Sequence, residues 1–595
     1  MLSHGVLLSC VDKPPVFVYK ILPLPHKRED VDSFNHQEKG TMKTSCTGRK
    51  LKTPDLVIQT LSDLGVDQFF HLPGNTLAPF YDILRRQKKI KPVLFKHEQA
   101  ACFAAAGHAL VTNRTGVCMV MNGPGVTNLI SAVAECYYQS IPLIVITVDN
   151  PRNNFGMEDF HEVDSFTMLR PITKKILNPT KVEDIQKAVT EALRSASTGR
   201  PGPVYLNIPV TLMGQEVPLK AVHVKGEKAS PTISQVKRAL KLIDAAKDPV
   251  IFAGSGVVRS GAEKELGEFV TLSGIPLLTS LGGRGIIPEG KSLIMGTPSY
   301  TFDVSFLKAS DLFIVLGTRL NPVNLRMGRL QLPKKMVQVD SDRPNPKFKK
   351  ADIYVQSDVR EFLRLLNKEI KKRKTFRKRT ASSIYTTYKK SYRDFTAADY
   401  RTIANNPSKL SSQKFLLALS QFLEKRTAAL FVDSIWIPYT HLLPRARTAR
   451  SFFSMRSYGC LGFALPAALG ACLAERRKKV ISLSGDGAFL FNCQDLSTAA
   501  TYRLNNFIQI VLNNSGYSSL HDLACAQFDK QGEYYLWNRI DYHRFAESLG
   551  VKAITIDSPQ QITAALTKAF SGNGPYLINV ATTDQGNLKG AFWTE

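Results

Sequence analysis

The chain reads as α/β, with three doubly wound parallel-sheet domains in series. Three observations predict this. Short apolar runs, such as 480–484 and 507–512, have the length and largely apolar make-up of strands covered on both faces. Helix-like segments separate such runs, and turns end them, here Gly485-Asp486-Gly487 and Asn513-Asn514. The 595 residues hold about three domains of ordinary size, and an apolar content of 44% supplies a core for each.

Residues 1–50 lack helical periodicity and read as a flexible N-terminal tail. They have no continuous apolar stretch of the kind a secretory signal needs, and Asp12, Glu29, Asp30, Asp32 and Glu38 argue against a transit peptide. Met42 is a second candidate start. A first domain is expected over 51–220. Its helix 53–64 carries Pro54 in the first turn. Strand 67–72 breaks at Pro73-Gly74-Asn75, and strand 92–96 leads into the small apolar run 97–107, which has one carboxylate, Glu98, near its start. Strand 115–121 ends in N-G-P-G-V-T-N (122–128), and strands 142–148 and 204–208 complete the unit.

A central α/β domain is expected over 230–366, with strands at 249–253, 276–279, 312–316 and 336–340. Gly254-Ser255-Gly256 follows the first of them. A dinucleotide loop needs a third glycine that is displaced here, so close helix packing explains the pair equally well. Residues 367–408 read as a basic linker, and the third domain spans 409–595. The three α/β units suggest duplication of one sheet type.

The net charge is +28 and the pI about 9.6, which favours anionic partners or substrates. Lys368 to Arg379 holds eight basic residues, but without interleaved aromatics or a nucleic-acid-binding motif it reads as an exposed linker, and no nucleic-acid partner is expected. Nine cysteines show no C-x-x-C spacing, which fits reduced core residues of an intracellular, cytoplasmic protein. No run of about 18 apolar residues exists, so no membrane span is expected.

The chemistry concentrates at two strand ends. Ligands of open parallel sheets sit beyond the carboxyl ends of strands. Here those ends carry a carboxylate, Asp486, an amide, Asn514, and nearby main-chain carbonyls. Together they form half of an octahedral Mg2+ site, to be completed by phosphate oxygens and water. A helix predicted to begin near Ala488 would aim free N–H groups at a diphosphate. Gly-Asp-Gly alone is usually a plain turn. Its pairing with an Asn-Asn separated from it by 25 residues, both on strand ends, is more specific.

That pair resembles the signature of thiamine-diphosphate enzymes, and four further stretches widen the resemblance to most of 52–590. These are H-E-Q-A-A (97–101), G-P-G-V-T-N (123–128) with P-L-I-V-I-T (142–147), G-R-P-G-P-V (199–204), and G-C-L-G-F-A-L-P-A-A-L-G-A (459–471). The chain is similar to the acetolactate synthase and pyruvate decarboxylase group. The resemblance implies pyrimidine-binding, central and diphosphate-binding domains. It also implies an active site between the first domain of one subunit and the third of another, hence a homodimer or homotetramer.

Residue by residue, Asp486, Asn514 and the Gly516 carbonyl would hold Mg2+, and Gly485, Gly487 and Ala488 would receive the diphosphate. Glu98 would bond the pyrimidine N1′. The Gly459 carbonyl would accept from the 4′-amino group, the Leu461 N–H would donate to N3′, and the Leu461 side chain would prop the cofactor into a bent shape. Asn75, Asn122 and His161 are candidates for handling substrate, each with an ordinary turn or loop role as the alternative. The reaction implied is decarboxylation of a 2-oxo acid with transfer of the acyl-carbanion unit to an acceptor. A non-oxidative decarboxylase or an FAD-dependent oxidase of the pyruvate oxidase type is the alternative.

The family pattern is not followed everywhere. After Asn-Asn the chain reads Ser515-Gly516-Tyr517-Ser518-Ser519-Leu520-His521. It lacks the tryptophan of acetolactate synthases, and Leu520 stands where pyruvate decarboxylase has a glutamate. Ala105 to Leu110, Asp433 to Trp436 and Gly296 to Tyr300 also depart, the last of these making FAD doubtful.

Overall fold

A computed structural model of the chain describes residues 48–582, apart from 152–153, 223–227, 299–301, 326–329, 344–346, 348–349, 374, 381, 407–408, 434–440, 455–456, 519, 522–523 and 525–532. The tail expected over 1–50 lies almost wholly outside the described residues. Its last residue already belongs to a strand, β1 (Lys50–Lys52), which precedes the helix Thr53–Asp63.

The first sheet comprises β2 (Gln68–His71), β3 (Lys91–Leu94), β4 (Gly116–Met119), β5 (Leu143–Asp149), β6 (Lys175–Leu177) and β7 (Pro203–Pro209). Their order is β3-β2-β4-β5-β7-β6, and every pairing is parallel. The centre is where the sequence is most apolar: all seven residues of both β5 and β7 are buried. The rims β3 and β6 each begin with an exposed lysine, which blunts an open edge. β8 (Glu216–Pro218) returns antiparallel to β1 and ties the domain's end to its start.

The central sheet contains β9 (Val250–Ala253), β10 (Leu277–Thr279), β11 (Ile294–Gly296), β12 (Leu312–Leu316), β13 (Lys335–Asp340) and β14 (Ile353–Gln356), in the order β11-β10-β9-β12-β13-β14. The third contains β15 (Ala428–Val432), β16 (Phe452–Ser454), β17 (Lys479–Gly485), β18 (Phe507–Asn513), β19 (Lys552–Ile556) and β20 (Tyr576–Ala581), in the order β16-β15-β17-β18-β20-β19. Numbered from each domain's own start, the first and third sheets share the order 2-1-3-4-6-5, whereas the central one runs 3-2-1-4-5-6. This corrects the expectation of a single repeated sheet type. Two domains are alike, and the middle one has the strand order of dinucleotide-binding sheets.

The basic stretch also differs from the exposed linker the sequence predicts. Its first residues finish the helix Val359–Lys372, whose buried Phe362, Leu363, Leu366 and Ile370 face the central core. Arg379 is itself buried, with Nη2 donating to the carbonyls of Ile243 at 2.6 Å and Ala246 at 2.7 Å. Beyond Arg379 the stretch is mostly one helix, Ser383–Ala404, with Tyr388 packed against Phe302 and its hydroxyl on the Met295 carbonyl. Charge density alone does not show that the lysines can take one face while an apolar stripe takes the other.

First and third domains meet through two helices, Glu98–Thr112 and Ala464–Ala474, which are buried almost all round. Their sequences are runs of alanine and glycine, so the backbones touch. A Cβ on Gly107 would run into the Ala467 carbonyl, and one on Gly470 into the Ala104 carbonyl. A side chain in place of either glycine must push backbone apart. We expect Gly107→Ala to cost about 3 kcal/mol, the upper range for overpacking. A lowered thermal midpoint would show it, and an unchanged midpoint would refute the contact.

Candidate active site

The third domain supplies a strand-end cluster. β17 ends at Gly485, and Asp486 opens the next turn, with 1% of its surface exposed. Its Oδ1 accepts the Gly487 N–H at 2.9 Å and its Oδ2 the Gly516 N–H at 3.2 Å, so the loop after β18 is tied to the loop after β17. Burial pushes the Asp486 carboxyl up to about 6, against the pull of the surrounding backbone N–H groups of Gly487, Ser515 and Gly516. Asn514 donates through its amide nitrogen to the Ser518 hydroxyl.

The glycines here are spatial requirements. A Cβ on Gly487 would fall 2.5 Å from the Tyr517 ring, and one on Gly516 would fall 2.7 Å from the Tyr535 carbonyl oxygen. Tyr517 and Trp537 meet edge to face above this turn, held by a backbone bridge between 515–517 and 535–537. One expectation is corrected. The helix predicted near Ala488 spans only Asp486–Phe489, before the chain resumes helically at Leu496–Thr501. A single turn offers a few amide N–H groups but not the dipole of a long helix. The Gly487 N–H, expected to face a diphosphate, is given to Asp486 instead.

A second element is the loop 457–464, which holds Gly459 and Leu461. Glu135, on the first domain's helix Pro124–Tyr138, is fully buried. Its Oε1 accepts the N–H groups of Ser457 at 3.1 Å and Tyr458 at 3.3 Å, and its Oε2 those of Gly459 at 2.8 Å and Cys460 at 3.1 Å. From the other side Asp433, at the end of β15, accepts from Phe463 at 3.0 Å and Ala464 at 3.3 Å and also faces the Gly462 N–H. Asn492 donates to the Gly462 carbonyl at 2.8 Å. Desolvating a carboxylate costs several kcal/mol unless donors replace water, and here the donors are successive backbone amides. Among the described residues of 457–464 the N–H groups of Leu461 and Gly462 make no hydrogen bond, and of the two only Gly462 faces Asp433; the Gly459 carbonyl likewise has no partner.

The first domain supplies a rim. Glu98 is buried at the start of its helix, its Oε2 accepting from Asn128 Nδ2 at 2.9 Å, and the preceding His97 caps the same helix by accepting the Gln99 N–H at 3.1 Å. Asn75 is exposed at the start of a short 3-10 turn. Asn122 is buried and donates to Asp149, which also accepts from Asn207 at 2.9 Å, while the Asn122 Oδ1 has no partner among the described residues. His161 is half-buried with φ +68°, its ring 3.6 Å from that of Phe160.

Close glycine contacts gather these four residues. A Cβ on Gly74 would lie 2.8 Å from the Met121 side chain, one on Gly123 2.6 Å from the His161 carbonyl oxygen, and one on Gly125 3.6 Å from Glu98 Oε1. Asn75, Asn122, His161 and Glu98 therefore share the carboxyl end of the first sheet. The nearest link from this rim to the third domain of the same chain is Gln99, whose Oε1 accepts from Asn492 at 3.1 Å. Of 433–436, only Asp433 lies within the described residues.

Glu135, Asp433, Asn492 and Gln99 were not singled out from the sequence. Glu135 had a usable signal: a carboxylate inside the apolar run S-A-V-A-E-C is buried only if it is paired. A cavity of about 500 Å3 lies beyond the carboxyl ends of the paired strands β9 and β12, lined in the central domain by Ser255, Gly256, Gly317, Thr318, Arg319 and Asp340. The glycines there allow close backbone approach, since a Cβ on Gly256 would fall 2.6 Å from the Gly317 Cα.

Three family models match the chain: the thiamine pyrophosphate enzyme N-terminal TPP binding domain at 51–168, the central domain at 236–366 and the C-terminal TPP binding domain at 438–580. The chain is 31% identical to a probable acetolactate synthase large subunit of Methanocaldococcus jannaschii, over 89% of this chain and 92% of that protein. It is 31% identical to the acetolactate synthase large subunit of Corynebacterium glutamicum over 88% and 85%. It is 29% identical to the acetolactate synthase isozyme 1 large subunit of Escherichia coli over 90% and 95%.

Asp433 gives a pH prediction. Burial raises its carboxyl to about 7, with the N–H groups of Ala464, Phe463 and Gly462 opposing the rise. The native state then keeps a proton that the unfolded chain releases from about pH 4 upward, so this residue's contribution to stability falls as pH rises from about 4 to about 7 and is level above. Asp433→Asn removes that slope. Denaturant unfolding should show the variant gaining on wild type across this window. A difference flat with pH would mean that Asp433 stays ionised throughout.

Proposed function

The chain belongs to the thiamine pyrophosphate enzyme family and is of the acetolactate synthase type, and on that premise we propose that it decarboxylates a 2-oxo acid and transfers the retained acyl-carbanion unit to an acceptor. The observation that carries this reading is the hydrogen-bond pattern of 457–464. It leaves a carbonyl at Gly459 and an N–H at Leu461, the acceptor and donor that an aminopyrimidine edge requires. The residues present therefore fit the cofactor. When bound, thiamine diphosphate supplies a nucleophilic carbon for the keto group and an electron sink for the pair left by CO2.

The protein's part is positioning and proton handling. Asp486, the Asn514 amide oxygen and the Gly516 carbonyl would hold Mg2+, a hard cation matched to oxygen ligands. Metal at Asp486 would compete for the oxygen that now holds the Gly487 N–H and so free that amide, with Ala488 N–H, for a diphosphate. The half-buried Leu461 side chain would brace the bound cofactor and fix its position. Glu98, donated by a second copy, would hold the proton exchanged with the pyrimidine ring. Exposed Phe155, Met157 and Phe160 near the rim, and Tyr458, Leu490 and Phe491 near the cofactor loop, support a dimer that covers both faces. Asn75, Asn122 and His161 would line the substrate side. Leu520, 47% exposed, cannot donate a proton, which favours capture of the acyl unit by a second carbonyl over release as an aldehyde. The central cavity favours one other reading, a flavin-dependent oxidase, and a protein that purifies colourless removes it.

Incubation with thiamine diphosphate, Mg2+ and a panel of 2-oxo acids, read by mass spectrometry, is expected to give ligated hydroxy-ketone products. Release of CO2 with only aldehyde would overturn the transfer reading. Glu98→Gln should lower kcat by about a hundredfold or more, the usual scale for an acid-base group, while inorganic diphosphate with Mg2+ binds as before. Unchanged turnover would remove Glu98 from the chemistry.

A further inference from the structure

We propose that Glu135 is a positioning residue that orients the Gly459 carbonyl and the Leu461 N–H toward the cofactor's aminopyrimidine. The inference rests on reading 457–464 as the pyrimidine loop. A trans peptide unit is planar, with its C=O and N–H pointing in opposite directions. The Cys460 N–H points at Glu135 Oε2, 3.1 Å away. The Gly459 carbonyl belongs to the same peptide unit and must point away from Glu135. One carboxylate therefore aims one carbonyl.

Three further contacts make the aim firm. Four consecutive amides converge on a single buried carboxylate, which requires the chain to curl round it, and Gly459 provides the curl at φ +93°, where a side chain would be strained. Cys460 Sγ donates to the Ser131 carbonyl at 3.2 Å. Tyr458 stacks on Tyr138 at 5.5 Å with 8° between ring planes. Ser131, Glu135 and Tyr138 lie at i, i+4 and i+7, so one face of a single helix seats the whole of 458–460. Beyond it, Asp433 accepts the N–H groups of Phe463 and Ala464 and faces that of Gly462, so Leu461 falls between the two carboxylates. The first domain would thus serve two sites: Glu98 reaches the partner's cofactor, and Glu135 shapes the loop for its own.

Glutamine is nearly isosteric with glutamate but turns an N–H2 toward two of the four amides, so Glu135→Gln should twist the loop while keeping its volume. Three probes separate positioning from general support: thiamine diphosphate, oxythiamine diphosphate, which has an oxo group in place of the 4′-amino donor, and inorganic diphosphate, each titrated with Mg2+. In wild type the amino form should bind more tightly than the oxo form, because the Gly459 carbonyl can only accept. In Glu135→Gln, thiamine diphosphate affinity should fall about tenfold or more, the worth of one charge-assisted contact. The preference over oxythiamine diphosphate should collapse, and diphosphate affinity should hold within about twofold. Glu135→Asp, charged but shorter, should lie between the two. Equal losses for all three probes would reduce Glu135 to a structural support and overturn the proposal, as would an unchanged preference. Hydrogen exchange on the folded wild-type apoprotein needs no variant. The 457–460 amides should be protected and Leu461 fast, with Leu461 slowing when thiamine diphosphate binds; fast exchange at 457–460 would refute the clamp. A wild type that binds neither thiamine derivative overturns this inference together with the cofactor reading.

Discussion

The contact on which the structure depends is the crossing of Glu98–Thr112 over Ala464–Ala474. At Gly107 and Gly470 two helix backbones meet with no side chain between them. Such an approach leaves no freedom to slide, because every displacement drives backbone into backbone. Each helix also begins beside chemistry: Glu98 opens one, and the loop 457–464 feeds the other. With the crossing fixed, the neighbouring Pro124–Tyr138 helix is held where Glu135 can reach four amides of the third domain.

The polar groups follow from that geometry. Two carboxylates from different domains, Glu135 and Asp433, are buried against a single loop, and the loop's own N–H groups make their burial tolerable. The same bonds fix the direction of the loop's donors and acceptors. Asp486 shows the same economy: it accepts the amides of the two loops it joins.

Much of this was legible in the sequence. The central strands β5, β7, β12, β17 and β18 are mostly apolar runs, with buried polar residues such as Thr147, Asn207, Ser482 and Gln509 within them, and burial on both faces is what writes such a run. The glycine turns and the places of Asp486, Asn514 and Glu98 at strand and helix ends were readable because each sits in a short motif beside an apolar run. Less visible were the edge and short strands β6, β11 and β16, three residues each, which carry too little pattern to stand out. The stretch 368–379 misled because charge density dominated its composition, while the side chains that decide its packing, Ile370 and Arg379, are few.

The sequence by itself determined the class of fold and the three-domain order, because both depend on local periodicity, and it nominated the atoms proposed to hold a diphosphate and a cation, because those sit in short motifs. Tertiary structure alone decided that the outer sheets share one strand order and the middle sheet another, since strand order is a matter of pairing across long separations. It alone decided the place of Glu135. A glutamate 322 to 325 residues from its partners has no local signature for them, and only the helix crossing brings it within reach.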